Sequence, residues 1–185
     1  MQLELIQSSC AAINSIYIIH NFLEDLDFLK TLENRIDNHT KEDEMAQQTN
    51  VKATMTTYKK LLNDEQFNKI NIKILETLRF IYTLRTPTPD EKMSFNMFDC
   101  WGMRHKKNNY TVNHIHGSLF SGAFYIRVPS PTEMFFEDFF KSVVLKDNML
   151  LLFPGFSKHA VGEHQGDIDR LSMAFNINIL FKYDK

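Results

Sequence analysis

Three of the seven histidines stand where they could hold a metal ion. His114 and His116 form an HxH pair, and His159 follows the run LLLFPGFSK. In a strand, residues two apart point to one side, so HxH aims two imidazoles into the same space. A third imidazole from a distant strand completes one triangular face of an octahedral ion and leaves the opposite positions for substrates or oxygen. By itself an HxH pair is a weak signal, and a lone histidine such as His159 is more often a surface or hydrogen-bonded residue. Arg170 adds weight because it lies shortly after His159, with Ser172 on the same strand face. A guanidinium turned into a closed space requires an anion, since an unpaired buried charge is costly. Its planar fork of donors suits a carboxylate, and a serine hydroxyl adds a third bond. A salt bridge to Asp167 or Asp169, or a surface position, is the competing reading of Arg170. His20, His39, His105 and His164 receive no assignment; the last two fall in polar, turn-like stretches.

The elements that must present these groups can be read from periodicity. The spacing predicts a helix over about Asn21 to Ile36, with Phe22, Leu26, Leu29, Leu32 and Ile36 on one stripe and Asn21 with Glu24 as its cap. A second helix is expected over Asp64 to Leu84, with Phe67, Ile70, Ile74, Leu78 and Ile81 buried. Asn63 and Gln66 would cap its start, and Pro87 and Pro89 would end it. The stretch Asn38 to Lys60 is polar and threonine-rich with no clear period, and reads mainly as an excursion with room for a short strand. From Met93 onward, short aromatic and branched runs alternate with turn formers such as KKNN, VPSP and HQGD, the pattern of many short antiparallel strands. Between Arg170 and Phe181 the apolar face is Leu171, Met173, Phe175, Ile177, Ile179 and Phe181; the other is Arg170, Ser172, Ala174, Asn176 and Asn178. Tyr110, Val112, His114 and His116 also share a face. A small barrel reconciles these, with apolar outer faces under the helices and polar inner faces lining a cavity. The expected class is therefore α+β, mainly β, with N-terminal helices packed on one sheet.

Composition narrows the function classes. The chain has 185 residues, 43% of them hydrophobic, which suits one domain over 1–185, with a strand and covering helices in 1–92 and the β core in 93–185. A formal charge of -2 gives no field favouring nucleic acid or an anionic membrane. The longest apolar run, Met149 to Phe153, is too short to span a bilayer, and MQLELIQSSC lacks the pattern of a secretory signal, so a cytoplasmic protein is expected. Cys10 and Cys100 are expected to be reduced thiols, partly buried.

The segments NNYTVNHIH, LFSGAFYIRVP, FFEDF, LLLFPGFSKHAV and RLSMAFNI occur in the order and near the spacing of a known family. From about Trp101 to Ile179 the chain resembles the 2-oxoglutarate/iron(II) oxygenases of bacteria and phages, relatives of the prolyl hydroxylases. The resemblance implies a double-stranded β-helix, or jelly roll, of cupin-like form. It implies Fe(II), 2-oxoglutarate and O2 as cofactor and cosubstrates, and hydroxylation of a C–H bond with release of succinate and CO2. His114 and His159 would be iron ligands; Arg170 with Ser172, and Tyr125, would bind the far carboxylate of 2-oxoglutarate; Asn176 would line the pocket. The family uses HxD where this chain has HxH. Either His116 takes the carboxylate's place, leaving the iron one more unit of positive charge, or a carboxylate such as Glu137 approaches from elsewhere; strand parity favours His116.

Two other classes fit the same residues: a cupin-type three-histidine metalloenzyme without 2-oxoglutarate, and a non-catalytic jelly-roll binding module. The substrate, a small molecule or a peptide, is not readable. RHKK at Arg104 to Lys107 reads as a solvated turn before an acidic-substrate contact, and Phe135, Phe136, Phe139 and Phe140 as packed core before an entrance or a homodimer contact.

Overall fold

A computed structural model of the chain describes residues 2–7, 14–42, 50–86 and 93–181. Strands β1 (Gln2–Gln7) and β2 (Ser15–His20) precede helix α1 (Leu26–Glu42), and the short strands β3 (Val51–Lys52) and β4 (Thr54–Met55) precede helix α2 (Asn68–Arg85). Eight strands follow: β5 (Met93–His105), β6 (Tyr110–His114), β7 (Phe120–Arg127), β8 (Glu133–Phe136), β9 (Lys141–Val144), β10 (Met149–Pro154), β11 (His159–Val161) and β12 (Arg170–Phe181). They form two antiparallel sheets, a larger one of order β1-β2-β10-β7-β12-β5-β4 and a smaller one of order β3-β6-β11-β8-β9. No described helix is long and apolar enough to cross a membrane.

Alternation explains how the layers stack. On β12, Leu171, Met173, Phe175 and Ile177 join Leu32, Ile36, Ile70, Ile74 and Leu78 in the core between the larger sheet and the helices. Each such fully buried side chain contributes about 1.5–3 kcal/mol. Past the helices the strand frays outward, and Phe181, expected on the apolar face, is exposed. The run on β10 is apolar throughout because both its faces are covered: Leu150 and Leu152 face the helices, while Met149, Leu151 and Phe153 face the smaller sheet. Met134, Phe136, Val143 and Val161 of the smaller sheet close that second core.

Both helices start later than the periodicity places them, and a carboxylate caps the first. The first begins at Leu26, and Asp25 Oδ1 accepts the Phe28 amide at 2.9 Å. Asn21, expected as the cap, instead turns left-handed, and Phe22 and Leu23 are tied to Asn148 by three hydrogen bonds of 2.8–3.0 Å. Phe22 reaches the core from this strap rather than from the helix, and Leu26 is exposed. Ahead of the second helix Asp64 accepts the Gln66 amide at 3.1 Å and caps a 3-10 turn, Glu65–Phe67, which runs into α2 at Asn68 with no side-chain cap of its own. Pro87, Pro89 and Cys10 lie outside the described residues; Cys100 is a free, buried thiol that donates to Asn71 Oδ1 at 3.7 Å.

Arg104 does not belong to a solvated turn. It is buried and holds α1 against the sheet, donating to Asp37 Oδ1 at 2.6 Å and Thr40 Oγ1 at 3.1 Å. The aromatic run also divides: Phe136 is core, whereas Phe135 and especially Phe140 are exposed.

Asp64 also joins the two helices, accepting from Arg35 at 2.6 Å and from His39 at 2.5 Å. Burial pushes its carboxyl up, but the hydrogen bonds from Arg35, His39 and the Gln66 amide outweigh this and hold it below the usual carboxylate value. A depressed carboxyl stabilises the fold above its unfolded value of about 3.9, and that contribution disappears as pH falls through the folded value. Asp64→Asn should therefore cost about 1–3 kcal/mol at pH 7. Urea denaturation repeated toward pH 3 should find the difference from wild type shrinking.

Candidate metal centre

The pairing of β6 with β11 places His159 directly opposite His114. Their ring centroids are 4.3 Å apart, and His116 stands 4.8 Å from His114 and 5.2 Å from His159. One ligand atom from each of the three lies within 4.8 Å of the others, and no carboxylate joins the cluster among the described residues. Glu137, the alternative carboxylate, is exposed and engaged by Lys158 Nζ at 3.1 Å and by the Asn113 amide.

Strand parity alone would not have built this cluster. The register of β6 on β11 slips between His159 and Val161, which pair with His114 and Thr111. One residue of β11, Ala160, thus faces two of β6, Val112 and Asn113, a bulge that reverses the alternation. Thr111 and His114 both reach the space between the sheets, while Tyr110, expected inside, is exposed. His116 lies beyond the end of β6. Its place is set by its amide, which donates to the Gly155 carbonyl at 2.7 Å. A Cβ on Gly155 would stand 2.0 Å from the Ser118 carbonyl oxygen, so only glycine lets the β10–β11 turn approach the 116–118 segment this closely.

The imidazoles are prepared to ligate. His114 Nδ1–H donates to the Val112 carbonyl and His159 Nδ1–H to the Ser157 carbonyl, each at 2.8 Å, which leaves the Nε2 lone pair of each free. Phe153 and Phe136 pack on the His159 ring at 4.7 and 5.8 Å. Burial lowers all three histidines: His116 to about 4, helped by the charge of His114, and His159 to about 3, also with His114 opposing its protonation. They are neutral at physiological pH. Three neutral nitrogens on one side suit a first-row divalent ion.

Two cavities meet at the cluster and share Trp101, His114 and His116 in their walls. The inner one, about 40 Å³, is lined among others by Thr111, Tyr125, His159 and Ala174. The outer one, about 300 Å³, is lined among others by Tyr58, Asp99, Trp101 and Asn176. A larger groove of about 860 Å³ between α1 and the start of α2 contains no cluster histidine, and its Asp64 is engaged by both Arg35 and His39.

Arg170 and Ser172 continue the β12 face that carries Ala174, beyond the inner cavity wall. Arg170 is fully buried, and none of its three guanidinium nitrogens has a partner among the described residues; Ser172 Oγ is likewise without one. The salt bridges to Asp167 and Asp169 do not form: Asp167 pairs with Lys107, and Asp169 lies 3.7 Å from Arg104. Tyr125 pairs in register with Ser172, and burial raises its phenol to about 12 against the pull of Arg170. Asn176 stands at the other end of the face, donating to Asp99 at 3.2 Å and accepting from Ser121 at 2.9 Å.

Sequence reasoning missed three residues here. His105, left unassigned as part of a turn, ends β5 directly opposite Arg170 and is buried with Nδ1 unpartnered. Asp99 and Thr111 were not singled out. Only the β5–β12 register and the bulge in β6 bring these residues to the site, and neither is visible in spacing. His164 is buried as well, held between Ser130 and the Ile168 carbonyl.

No protein-family model and no curated protein matches the chain. Solved structures do match in fold. The chain is similar to a viral collagen prolyl hydroxylase from Paramecium bursaria Chlorella virus-1 in complex with 2OG, at TM-score 0.65 and 15% identity over 88% of this chain and 94% of that one. A prolyl-4-hydroxylase from Pseudomonas putida gives TM-score 0.65 at 14% identity, over 88% and 92% of the two chains. The non-heme alpha-ketoglutarate-dependent epimerase SnoN of nogalamycin biosynthesis gives 0.68 at 11% identity, over 91% and 80%.

Two measurements follow from the geometry. Manganese(II) should raise the melting temperature of the wild type under reducing conditions and leave that of His159→Ala unchanged, as read by thermal shift. Gly155→Ala should weaken the metal response through His116 and lower stability by about 1–3 kcal/mol, the cost of overpacking a tight contact.

Proposed function

We propose that the chain is a non-haem iron(II), 2-oxoglutarate-dependent oxygenase on a double-stranded β-helix, using O2 to hydroxylate a C–H bond. The observation that carries this reading is the orphaned Arg170 guanidinium, buried on the β12 face that continues into the wall of the inner cavity shared by three metal-competent imidazoles. A buried cation with no counter-charge is tolerable only where an anion belongs. The fold it shares with enzymes described by a 2OG complex or by alpha-ketoglutarate dependence supports the same choice of anion.

In this reading His114, His116 and His159 hold the iron. Arg170 binds the far carboxylate through its two-pronged fork, Ser172 adds a hydroxyl donor, and the protonated phenol of Tyr125 sits alongside. Bound iron and 2-oxoglutarate supply the oxidising power for hydroxylation, with succinate and CO2 as co-products. The chain itself positions and excludes water: Phe153, Phe136 and Trp101 surround the imidazoles with apolar surface. With no carboxylate among the ligands, the centre keeps the full charge of its ion, which favours an anionic chelator.

The all-histidine cluster also fits a second reading, a cupin-type three-histidine enzyme that does not use 2-oxoglutarate. Arg170→Met separates the two. Removing an unpaired buried charge should stabilise the ligand-free protein by about 1–4 kcal/mol. The same variant should lose the thermal shift produced by 2-oxoglutarate with manganese, and should form no succinate with iron and oxygen. A 2-oxoglutarate response that survives Arg170→Met would sink the assignment, and a wild type without any response would favour the second reading.

A further inference from the structure

The outer cleft has a charge asymmetry that the metal cluster does not require. Among its described wall residues Asp99 is the one acidic side chain, and there is no lysine or arginine. The histidines beside it are neutral through burial. Asp99 Oδ2 accepts from Asn176 at 3.2 Å, and no described cation lies within salt-bridge distance of the carboxylate. With the charge of a divalent ion at the histidines offset by dianionic 2-oxoglutarate, an anionic substrate would meet repulsion at Asp99, whereas a cation would find a ready partner.

Beside Asp99 the wall is aromatic. Two residues along β5, on the same face, is Trp101. Tyr58 meets Trp101 edge-on at 5.2 Å, and the Trp101 ring lies 6.3 Å from His116. Tyr58 is 45% exposed and Trp101 only 4%, so the platform runs from solvent at Tyr58 inward to a candidate metal ligand. A cleft of about 300 Å³ is at the small end for ligand pockets and fits one compact molecule. A ring or alkyl body covering Trp101 would be brought toward the metal side, and aromatic faces attract cations in addition.

We infer that this cleft is the substrate site and that it takes a small organic cation: a protonated amine on an apolar or aromatic body, with the body on Tyr58 and Trp101 and the ammonium at Asp99. As the substrate of a hydroxylation the assignment rests on the oxygenase reading; as a binding site it stands on the cleft alone.

Trp101 is the chain's single tryptophan, so its emission reports on the cleft without turnover. The test titrates phenethylamine, 2-phenylethanol and phenylacetate, a cation, a neutral analogue and an anion of similar size, into the protein loaded with manganese(II) and 2-oxoglutarate. Phenethylamine should bind about tenfold more tightly than the alcohol, and phenylacetate most weakly. Asp99→Asn should erase the preference for the amine while leaving the alcohol's affinity unchanged, which also reports an intact cleft. Equal affinity for amine and alcohol, a preference that survives Asp99→Asn, or no saturable response to any probe would overturn the inference. The same titration on metal-free protein separates the two readings. If the amine preference persists in a protein that shows no thermal response to manganese and 2-oxoglutarate, the cation site stands and the oxygenase reading falls; the opposite pattern removes only the cation site.

Discussion

The antiparallel register of β6 on β11 decides where the candidate chemistry sits. Backbone pairing across these strands brings His159 to His114, although the two are far apart in the chain. A slip of a single residue would turn His159 toward the other face and dissolve the cluster. The register is held from both sides: Phe136 of β8 pairs with His159, and Val161 pairs with Thr111 across the bulge. His116, outside any strand, depends on one backbone bond to Gly155. Two of the imidazoles are therefore as rigid as the sheet, and the third is as rigid as one close-packed turn.

Arg170 shows how the same framework accommodates an unfavourable group. Removing a guanidinium from water without a counter-ion costs several kcal/mol, by the order of magnitude common to buried ions. That deficit is offset by packing on the opposite face of the same strand, where Leu171 and Met173 are fully buried under the helices. The cost is concentrated where a ligand would remove it. Ser172 Oγ, two residues along the same strand, and His105 Nδ1, directly opposite, are also buried and unpartnered, so five of the eight such atoms among the described residues gather here.

From Arg170 through Ser172 and Ala174 to Asn176, one face of β12 passes from a sealed cationic end, past the inner cavity, to an open end that carries Asp99 on the adjoining strand. Positive charge lies inside and negative charge lies at the mouth. An anionic cosubstrate and a cationic substrate would each meet its counter-charge on its own side of the metal. That the fold recurs in structures only 11–15% identical shows how little of the fold depends on particular side chains. Alternation, turn chemistry and a few fixed polar groups suffice.

Local patterns were sufficient for much of this. The period of two in Arg170 to Phe181 identified which side chains lie under the helices, and the 3.6-residue stripe of Ile70, Ile74, Leu78 and Ile81 identified their partners. The types His114, His116 and His159 marked the candidate metal cluster that the strands assemble, and Arg170 the buried guanidinium without a partner among the described residues. What the sequence could not contain is register. The bulge that turns Thr111 inward and Tyr110 outward, the hydrogen bonds of Asn148 that delay α1 to Leu26, and the pairings that bring His105 to Arg170 and Asp99 to Asn176 all join residues distant along the chain. Their energies exist only once the sheets have formed, so no window of sequence records them. Periodicity is a property of one strand, and a site is a property of several strands at once.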